Sequence, residues 1–216
     1  SPVFAIYLPY RFLTGLRISD SLALIILSFG ILIFSFLILS FMQKNYFSNL
    51  PSWIIPLNIL IIGFSNVTLY FLRRPAVYGI AICGGTFFLL SAIYFLFRSM
   101  KSKSYNLILL FLSGMSMAFS VGARPNLLIS CGFIICLYFF QNSSLLSKKD
   151  LLNVMVSSFP LVVSLTLLFL YNYLRFGSIT DFGYSHQLSA LDYDLFKSKF
   201  FDLKSMPFNS LVYLFF

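Results

Sequence analysis

The sequence predicts an all-α fold, a polytopic bundle of transmembrane helices, and its composition is the first reason. The chain has 216 residues, of which 59% are hydrophobic and 10% are charged, whereas soluble domains average about 25% charged residues. Apolar runs long enough to cross a bilayer recur along it, without strand-like alternation. We predict about six spans and the start of a seventh, preceded by an interfacial N-terminal helix, in a single transmembrane domain over residues 1–216.

The first segment favours a helix lying at the membrane interface. Residues 1–20 are apolar, but prolines, Gly15 and two arginines interrupt them, and such a mixture suits an interfacial helix better than a span. Ser19 or Asp20 can cap the helix that follows. We expect this first span at about residues 21–42.

The later spans follow from the remaining apolar runs and the polar turns between them. They are expected at about residues 51–72, 76–97, 105–122, 126–141 and 152–172, with a seventh run beginning near Asn209. Pro160 is expected to kink the sixth span. Gly114, Ala118 and Gly122 follow one another at intervals of four, a spacing that favours close packing between membrane helices.

Both ends of the chain suggest an internal piece of a longer protein. It starts at Ser1-Pro2 without methionine and without a signal peptide. Its last residues, Leu214-Phe215-Phe216, lie inside an apolar run. We therefore expect a fragment of a larger membrane protein.

Charged residues divide between the two predicted membrane faces. Most arginines and aspartates fall on one face, the arginine side: Arg11, Arg17, Arg73, Arg74, Arg124 and Arg175, with Asp20, Asp181, Asp192, Asp194 and Asp202. The other face, the lysine side, carries Lys44, Lys101, Lys103, Lys148 and Lys149, with Arg98 and Asp150. Short loops hold six basic residues on the lysine side against three on the arginine side, so the positive-inside rule places the lysine side in the cytoplasm.

Composition also limits the classes of partner and cofactor. The formal net charge of +9 is split between two membrane faces, so membrane lipids explain it better than nucleic acid does. The three cysteines, Cys83, Cys131 and Cys136, fall inside apolar runs, and we expect them to be buried free thiols. No cofactor motif is identified, and the sequence gives no support for a divalent metal ion.

Arginines on the arginine side are the candidate substrate-binding residues. Arg124 stands in a short turn between two spans, and its fork of donors fits phosphate oxygens. Arg73 and Arg74 end the second span, where they can clamp a diphosphate or polyprenyl phosphate or contact ordinary headgroups. Arg175 closes the sixth span, and the only histidine, His186, follows in a polar stretch, where it suits either proton transfer or simple solvation.

Three segments together resemble a known family. They are Arg74-Pro75-Ala76-Val77-Tyr78 at the start of a glycine-containing span, Gly114 to Pro125 ending in Gly-Ala-Arg-Pro, and Tyr171 to Gln187. In order and spacing they resemble bacterial polytopic glycosyltransferases of the GT-C class. Relatives in that class include protein O-mannosyltransferases and the lipid A aminoarabinose transferases.

The resemblance implies that a sugar is transferred from a polyprenyl-phosphate donor to an acceptor. The reaction would take place at the extracytoplasmic face of the bacterial inner membrane. Arg124 would match the basic residue that these enzymes carry after a glycine-rich helix, where it can contact the lipid-linked phosphate. The catalytic acid of the class lies in the first extracytoplasmic loop. We therefore expect it before Ser1, because Asp20 is too close to the next span to be an easy substitute.

Two further classes remain as alternatives. A polysaccharide polymerase or ligase would be expected to have a large periplasmic loop with several basic residues. Residues 175–207 are a modest candidate for such a loop. A transporter, the non-enzymatic alternative, would carry polar or charged residues at mid-span and an internal repeat. The mid-span positions hold Asn58, Asn66, serines and glycines, without a repeat, which weighs against transport.

Overall fold

The computed structural model describes residues 6–65, 68–101, 106–141, 148–179, 204 and 206–208. Within these ranges the regular elements are helical and no strand is present, which confirms the all-α prediction. The helices are α1 (Leu8–Thr14), α2 (Asp20–Tyr46), α3 (Ile54–Ser65), α4 (Thr68–Arg73), α5 (Val77–Lys101), α6 (Asn106–Ala123), α7 (Leu128–Gln141) and α8 (Lys148–Phe176), with a 3-10 turn, Pro125–Leu127, before α7. Contacts group the chain into two compact units, Ser1–Leu167 and Leu168–Phe216, and the single transmembrane domain stays a prediction.

Four helices of the described ranges are long and apolar enough to cross a membrane: α2, α5, α6 and the segment Leu151–Phe176 of α8. The chain therefore has the helices of an integral membrane protein. The predicted count of about six spans is not confirmed. Within the second and fifth predicted spans the described residues give the shorter apolar helices Ile54–Ser65 and Pro125–Cys136, and residues 66–67, between α3 and α4, lie outside the described residues. The seventh run near Asn209 lies outside the described residues.

The first two helices agree with a short non-spanning helix followed by a capped span. Helix α1 has no buried residue and ends at Gly15, whose φ of 72° is the left-handed conformation that glycine adopts without steric cost. The hydroxyl of Ser19 caps α2 by accepting the N–H of Leu22 at 3.3 Å. Ile18, just before this cap, is buried and anchors the connection between the two helices.

Helices α2 and α5 run parallel, so their starts lie at the same end of the bundle. Near the starts, Leu24 and Ile80 belong to one buried cluster. Near the ends, the rings of Phe41 and Phe97 stack with their centroids 5.8 Å apart. Helices α3 and α4 return the chain between them, and Gly63 of α3 lies beside Leu32 of α2.

Helix α6 runs antiparallel to α5, and buried hydroxyl groups join the two. Ser113 donates to the carbonyl oxygen of Ala92 at 2.9 Å, and Ser120 donates to that of Gly85 at 3.1 Å. Both serines are buried, so each hydroxyl is satisfied by the neighbouring backbone rather than by water. The start of α5 therefore lies against the end of α6.

Close packing of α6 on α8 confirms the role predicted for the small residues of the fourth span. A β-carbon at Gly114 would collide with the backbone of Ser157. Ser164 of α8 donates to the carbonyl oxygen of Ala118 at 3.3 Å. Pro160 lies inside α8, and its ring faces the same glycine. Only a residue without a side chain allows the helices to approach this closely.

These registers define the two ends of the bundle. The starts of α2 and α5 and the ends of α4 and α6 meet at one end, which carries Arg17, Arg73, Arg74 and Arg124. The opposite end carries Lys44, Arg98 and Lys101, and the ammonium of Lys101 lies 5.7 Å from the ring centroid of Tyr46. The predicted division into an arginine side and a lysine side is therefore reproduced for these residues.

The cysteines correct one expectation. Cys83 and Cys131 are buried free thiols, as predicted, but Cys136 is exposed. An apolar run in a membrane protein faces lipid as readily as it faces other helices, so apolarity alone does not distinguish a buried position from one on the outer surface.

Candidate functional site

Arg124 stands in the turn between α6 and α7 with a fixed backbone. Helix α6 ends at Ala123, and Arg124 is extended, with φ −146° and ψ 110°. Its N–H donates to the carbonyl oxygen of Ser120 at 3.0 Å, and its own carbonyl oxygen accepts the N–H of Leu127 at 3.0 Å. Pro125 opens the next turn, at a position where its missing N–H costs little.

The side chain of Arg124 lies against the start of α5. Its guanidinium carbon is 4.5 Å from the ring centroid of Tyr78, and its stem passes Gly85, where a β-carbon would be 3.8 Å from Cγ of Arg124. A cation–π contact uses the face of the ring and consumes no N–H donor. In the described ranges no protein acceptor takes these donors. Arg124 as a whole is half-buried, and its guanidinium is positioned with its donors still available to a ligand.

Arg73 and Arg74 reach the same end because α4 packs on the start of α5. Phe71 is buried against Gly79, with ring carbons 2.8 Å from where a β-carbon would stand. The N–H of Arg74 donates to the carbonyl oxygen of Tyr70 at 3.1 Å. Both arginine side chains are exposed, and no carboxylate of the described residues lies within 4.0 Å of them. The structure thus brings three of the five predicted residues to one end of the bundle.

The other two predicted residues are not shown at this site. Arg175 belongs to the unit Leu168–Phe216, where its guanidinium donates to the hydroxyl of Tyr171 and lies 5.1 Å from the ring centroid of Phe176. Gly177 then ends the helix with φ 72°, a left-handed conformation that favours glycine. His186 lies outside the described residues. The participation of Arg175 and His186 stays a prediction.

A second group of charged residues lines a cleft beside α1, also on the arginine side. The cleft has a volume of about 360 Å³ and is lined by Tyr7, Leu8, Arg11, Arg17, Ile18 and Asp20. The hydroxyl of Tyr7 donates to Oδ1 of Asp20 at 2.7 Å. Burial, and then this hydrogen bond and the carboxylate charge, raises the pKa of Tyr7 above its ordinary value. The phenol therefore remains a neutral donor at physiological pH.

Sequence reasoning missed two tyrosines that hold charged groups in place. Tyr78 carries a weak signal, since it follows Arg73-Arg74-Pro75 by three residues and falls in the first turn of α5. Tyr7 carries no comparable signal, because its partner Asp20 lies 13 residues away across an interrupted segment. Both contacts depend on how the helices meet, which apolar periodicity does not encode.

The site is made of cations and aromatic rings. In the part of the chain that the structure describes, no group of three or more His, Cys, Asp or Glu side chains is placed to hold a metal ion. Comparisons of the chain with protein-family models, with curated proteins and with solved structures gave no match.

Proposed function

We propose that this chain is part of a membrane glycosyltransferase that moves a sugar from a polyprenyl-phosphate donor to an acceptor at the extracytoplasmic face. Arg124, Arg73 and Arg74 bind the donor phosphate. The observation that carries the phosphate site is the guanidinium of Arg124, fixed over Tyr78 at the end of a membrane helix with its donors available. The reaction class comes from the resemblance of three sequence segments to GT-C glycosyltransferases.

A lipid-linked phosphate suits this position for two reasons. An isoprenoid chain is soluble among apolar helices, whereas its phosphate must meet cations at the membrane surface. Arginine binds phosphate through two parallel N–H donors, which orients the ligand as well as attracting it. Two further arginines at the end of α4 raise the positive potential around Arg124.

The same cations would favour the transfer step itself. The nucleophilic atom of the acceptor forms a bond to the anomeric carbon while the bond from that carbon to the phosphate oxygen breaks. The electron pair leaves with polyprenyl phosphate, and a carboxylate takes the acceptor's proton. The departing phosphate monoester carries more negative charge than the diester in the donor, so arginine contacts strengthen as the bond breaks.

The test uses full-length protein in membranes supplied with polyprenyl-phosphate hexoses labelled in the sugar. We expect Arg124→Ala to lower sugar transfer by about 10²-fold or more, the scale of losing one donor to a developing charge. Arg98→Ala, an exposed arginine on the lysine side, is the control and should leave transfer unchanged.

Two results would contradict the proposal. Unchanged sugar transfer in Arg124→Ala would show that Arg124 does not bind the donor phosphate. Movement of the intact labelled lipid across the membrane, with the bond from sugar to phosphate unbroken, identifies a transporter instead.

A further inference from the structure

The cleft beside α1 lies at the start of α2, the first helix long enough to cross a membrane. Helix α1 and the turn after it expose large apolar side chains: Phe12 is 91% exposed, Leu13 81% and Leu16 65%. Such side chains next to arginines are typical of a helix lying in the headgroup region. We therefore expect the polar side chains of the cleft to lie at the depth of lipid phosphates, independently of the glycosyltransferase proposal.

The backbone turn brings the two arginines of the cleft together. Gly15, with φ 72°, donates its N–H to the carbonyl oxygen of Arg11 at 2.8 Å and reverses the chain, so that Arg17 lines the same cleft. This geometry is available to glycine because it lacks a β-carbon. Arg11 and Arg17, from opposite sides of one turn, thus both line a cleft of about 360 Å³.

Opposite charges line this cleft without pairing. Asp20 shares it with Arg11 and Arg17, yet within the described ranges no ion pair of 4.0 Å or less joins them. Instead Oδ1 of Asp20 accepts the hydroxyl of Tyr7 at 2.7 Å. This hydrogen bond holds the carboxylate in place and leaves Oδ2 available. A ligand that carries both an anion and a donor can therefore fit between the separated charges.

We propose that the cleft binds the headgroup of an anionic glycerophospholipid whose headgroup carries hydroxyl groups. Arg11 and Arg17 hold its phosphate, and Asp20 accepts a hydrogen bond from a headgroup hydroxyl. Two arginines and one aspartate leave one net positive charge, which matches a phosphodiester with one negative charge. The acyl chains lie beside the exposed apolar side chains of α1.

The test counts lipids retained by the full-length protein, released from nanodiscs, in native mass spectrometry. The nanodiscs contain phosphatidylcholine with either phosphatidylglycerol or phosphatidylmethanol, which has the same charge but no headgroup hydroxyl. The wild type should retain phosphatidylglycerol preferentially. Arg11→Ala with Arg17→Ala should lower that retention by about five-fold per arginine, whereas Arg98→Ala, on the lysine side, should not change it.

The Asp20→Ala variant distinguishes a specific headgroup-binding site from general electrostatic attraction to anionic lipid. General attraction predicts that loss of a negative charge raises retention of both anionic lipids. The proposed site predicts that the preference for phosphatidylglycerol over phosphatidylmethanol disappears. Equal retention of the two lipids by the wild type overturns the proposal, as does a double arginine variant that retains lipid like the wild type. Full displacement of the lipid by soluble glycerol phosphate would assign the cleft to a free phosphate ester and also overturn it.

Discussion

The guanidinium of Arg124 lies over the ring of Tyr78, with 4.5 Å between the guanidinium carbon and the ring centroid. This contact joins the end of α6 to the start of α5, where Ser120 also donates to the carbonyl oxygen of Gly85. A cation at a membrane surface is normally free to seek lipid or water in many rotamers. Here an aromatic face and a close helix contact restrict it. We infer that this restriction holds the guanidinium of Arg124 in an orientation that suits a phosphate ligand.

Replacing Tyr78 tests that restriction. Tyr78→Ala should weaken binding of polyprenyl phosphate by about two- to five-fold, because an exposed cation–π contact contributes about 0.5–1 kcal/mol. Tyr78→Phe keeps the ring face and should bind like the wild type. The measurement is a binding isotherm for each full-length variant in nanodiscs. If the phenylalanine variant binds as weakly as the alanine variant, the hydroxyl matters rather than the ring.

Gly114 and Gly132 form a matched pair for helix packing. Gly114→Ala would force a β-carbon into the backbone of Ser157 and should destabilise the protein by about 1–3 kcal/mol, the usual cost of overpacking. Gly132 lies on α7 with nothing within 4 Å of the position of a β-carbon, so Gly132→Ala should be neutral or slightly stabilising. Thermal unfolding in detergent compares the two variants. Equal melting temperatures would show that α6 and α8 do not approach closely at Gly114.

The stability of the folded protein should depend on pH through Tyr7, and the sign of that dependence follows from the environment of its phenol. Its pKa is raised above the ordinary value of 10.0, first by burial and then by Asp20. Because the folded state favours the neutral phenol, its contribution to stability is complete below the ordinary pKa and is lost as the pH rises through the raised one. Asp20→Asn should lower the pKa of Tyr7 towards 10.0, although burial keeps part of the shift.

The phenolate absorbance measures this titration. Because the chain has 13 tyrosines, the spectrum of a Tyr7→Phe variant is subtracted at each pH. A difference spectrum that titrates at the ordinary value in the wild type would show that Tyr7 is neither buried nor bonded to Asp20.

The orientation of the bundle is tested by labelling from one side. Thr14 and Asn45 are both exposed, the first on the arginine side and the second near Lys44 on the lysine side. In a background with Cys83, Cys131 and Cys136 replaced by alanine, Thr14→Cys should react with an impermeant maleimide in right-side-out vesicles. Asn45→Cys should react only after the membrane is permeabilised. The reverse pattern would place the arginine side in the cytoplasm.

Much of the fold follows from the sequence because membrane helices obey simple rules. The predicted spans at about residues 21–42, 76–97 and 105–122 correspond to α2, α5 and α6. Ser19 as a cap and Gly177 as a left-handed stop follow from local backbone chemistry. Within the second predicted span, α3 and α4 are described on either side of residues 66–67, which lie outside the described residues, so a single helix over residues 51–72 stays a prediction.

The site is less predictable than the fold because it depends on contacts between helices. Charge position alone brings Arg73, Arg74 and Arg124 to one face. It does not reveal that Tyr78 lies under one of them or that Tyr7 holds Asp20. Antiparallel packing of α5 with α6 brings Tyr78 to Arg124, and the turn between α1 and α2 brings Tyr7 to Asp20. A single sequence carries little information about either arrangement.

Binding of labelled polyprenyl phosphate to the full-length protein in nanodiscs tests the central proposal most directly. We expect Arg124→Ala to weaken binding by about ten- to hundred-fold, the scale of losing hydrogen bonds to a charged group. The affinity of Arg124→Lys should lie between those of Arg124→Ala and the wild type, because lysine keeps the charge but not the fork of donors. Arg98→Ala should bind like the wild type. Equal affinities for the wild type and Arg124→Ala would contradict a phosphate site centred on this arginine.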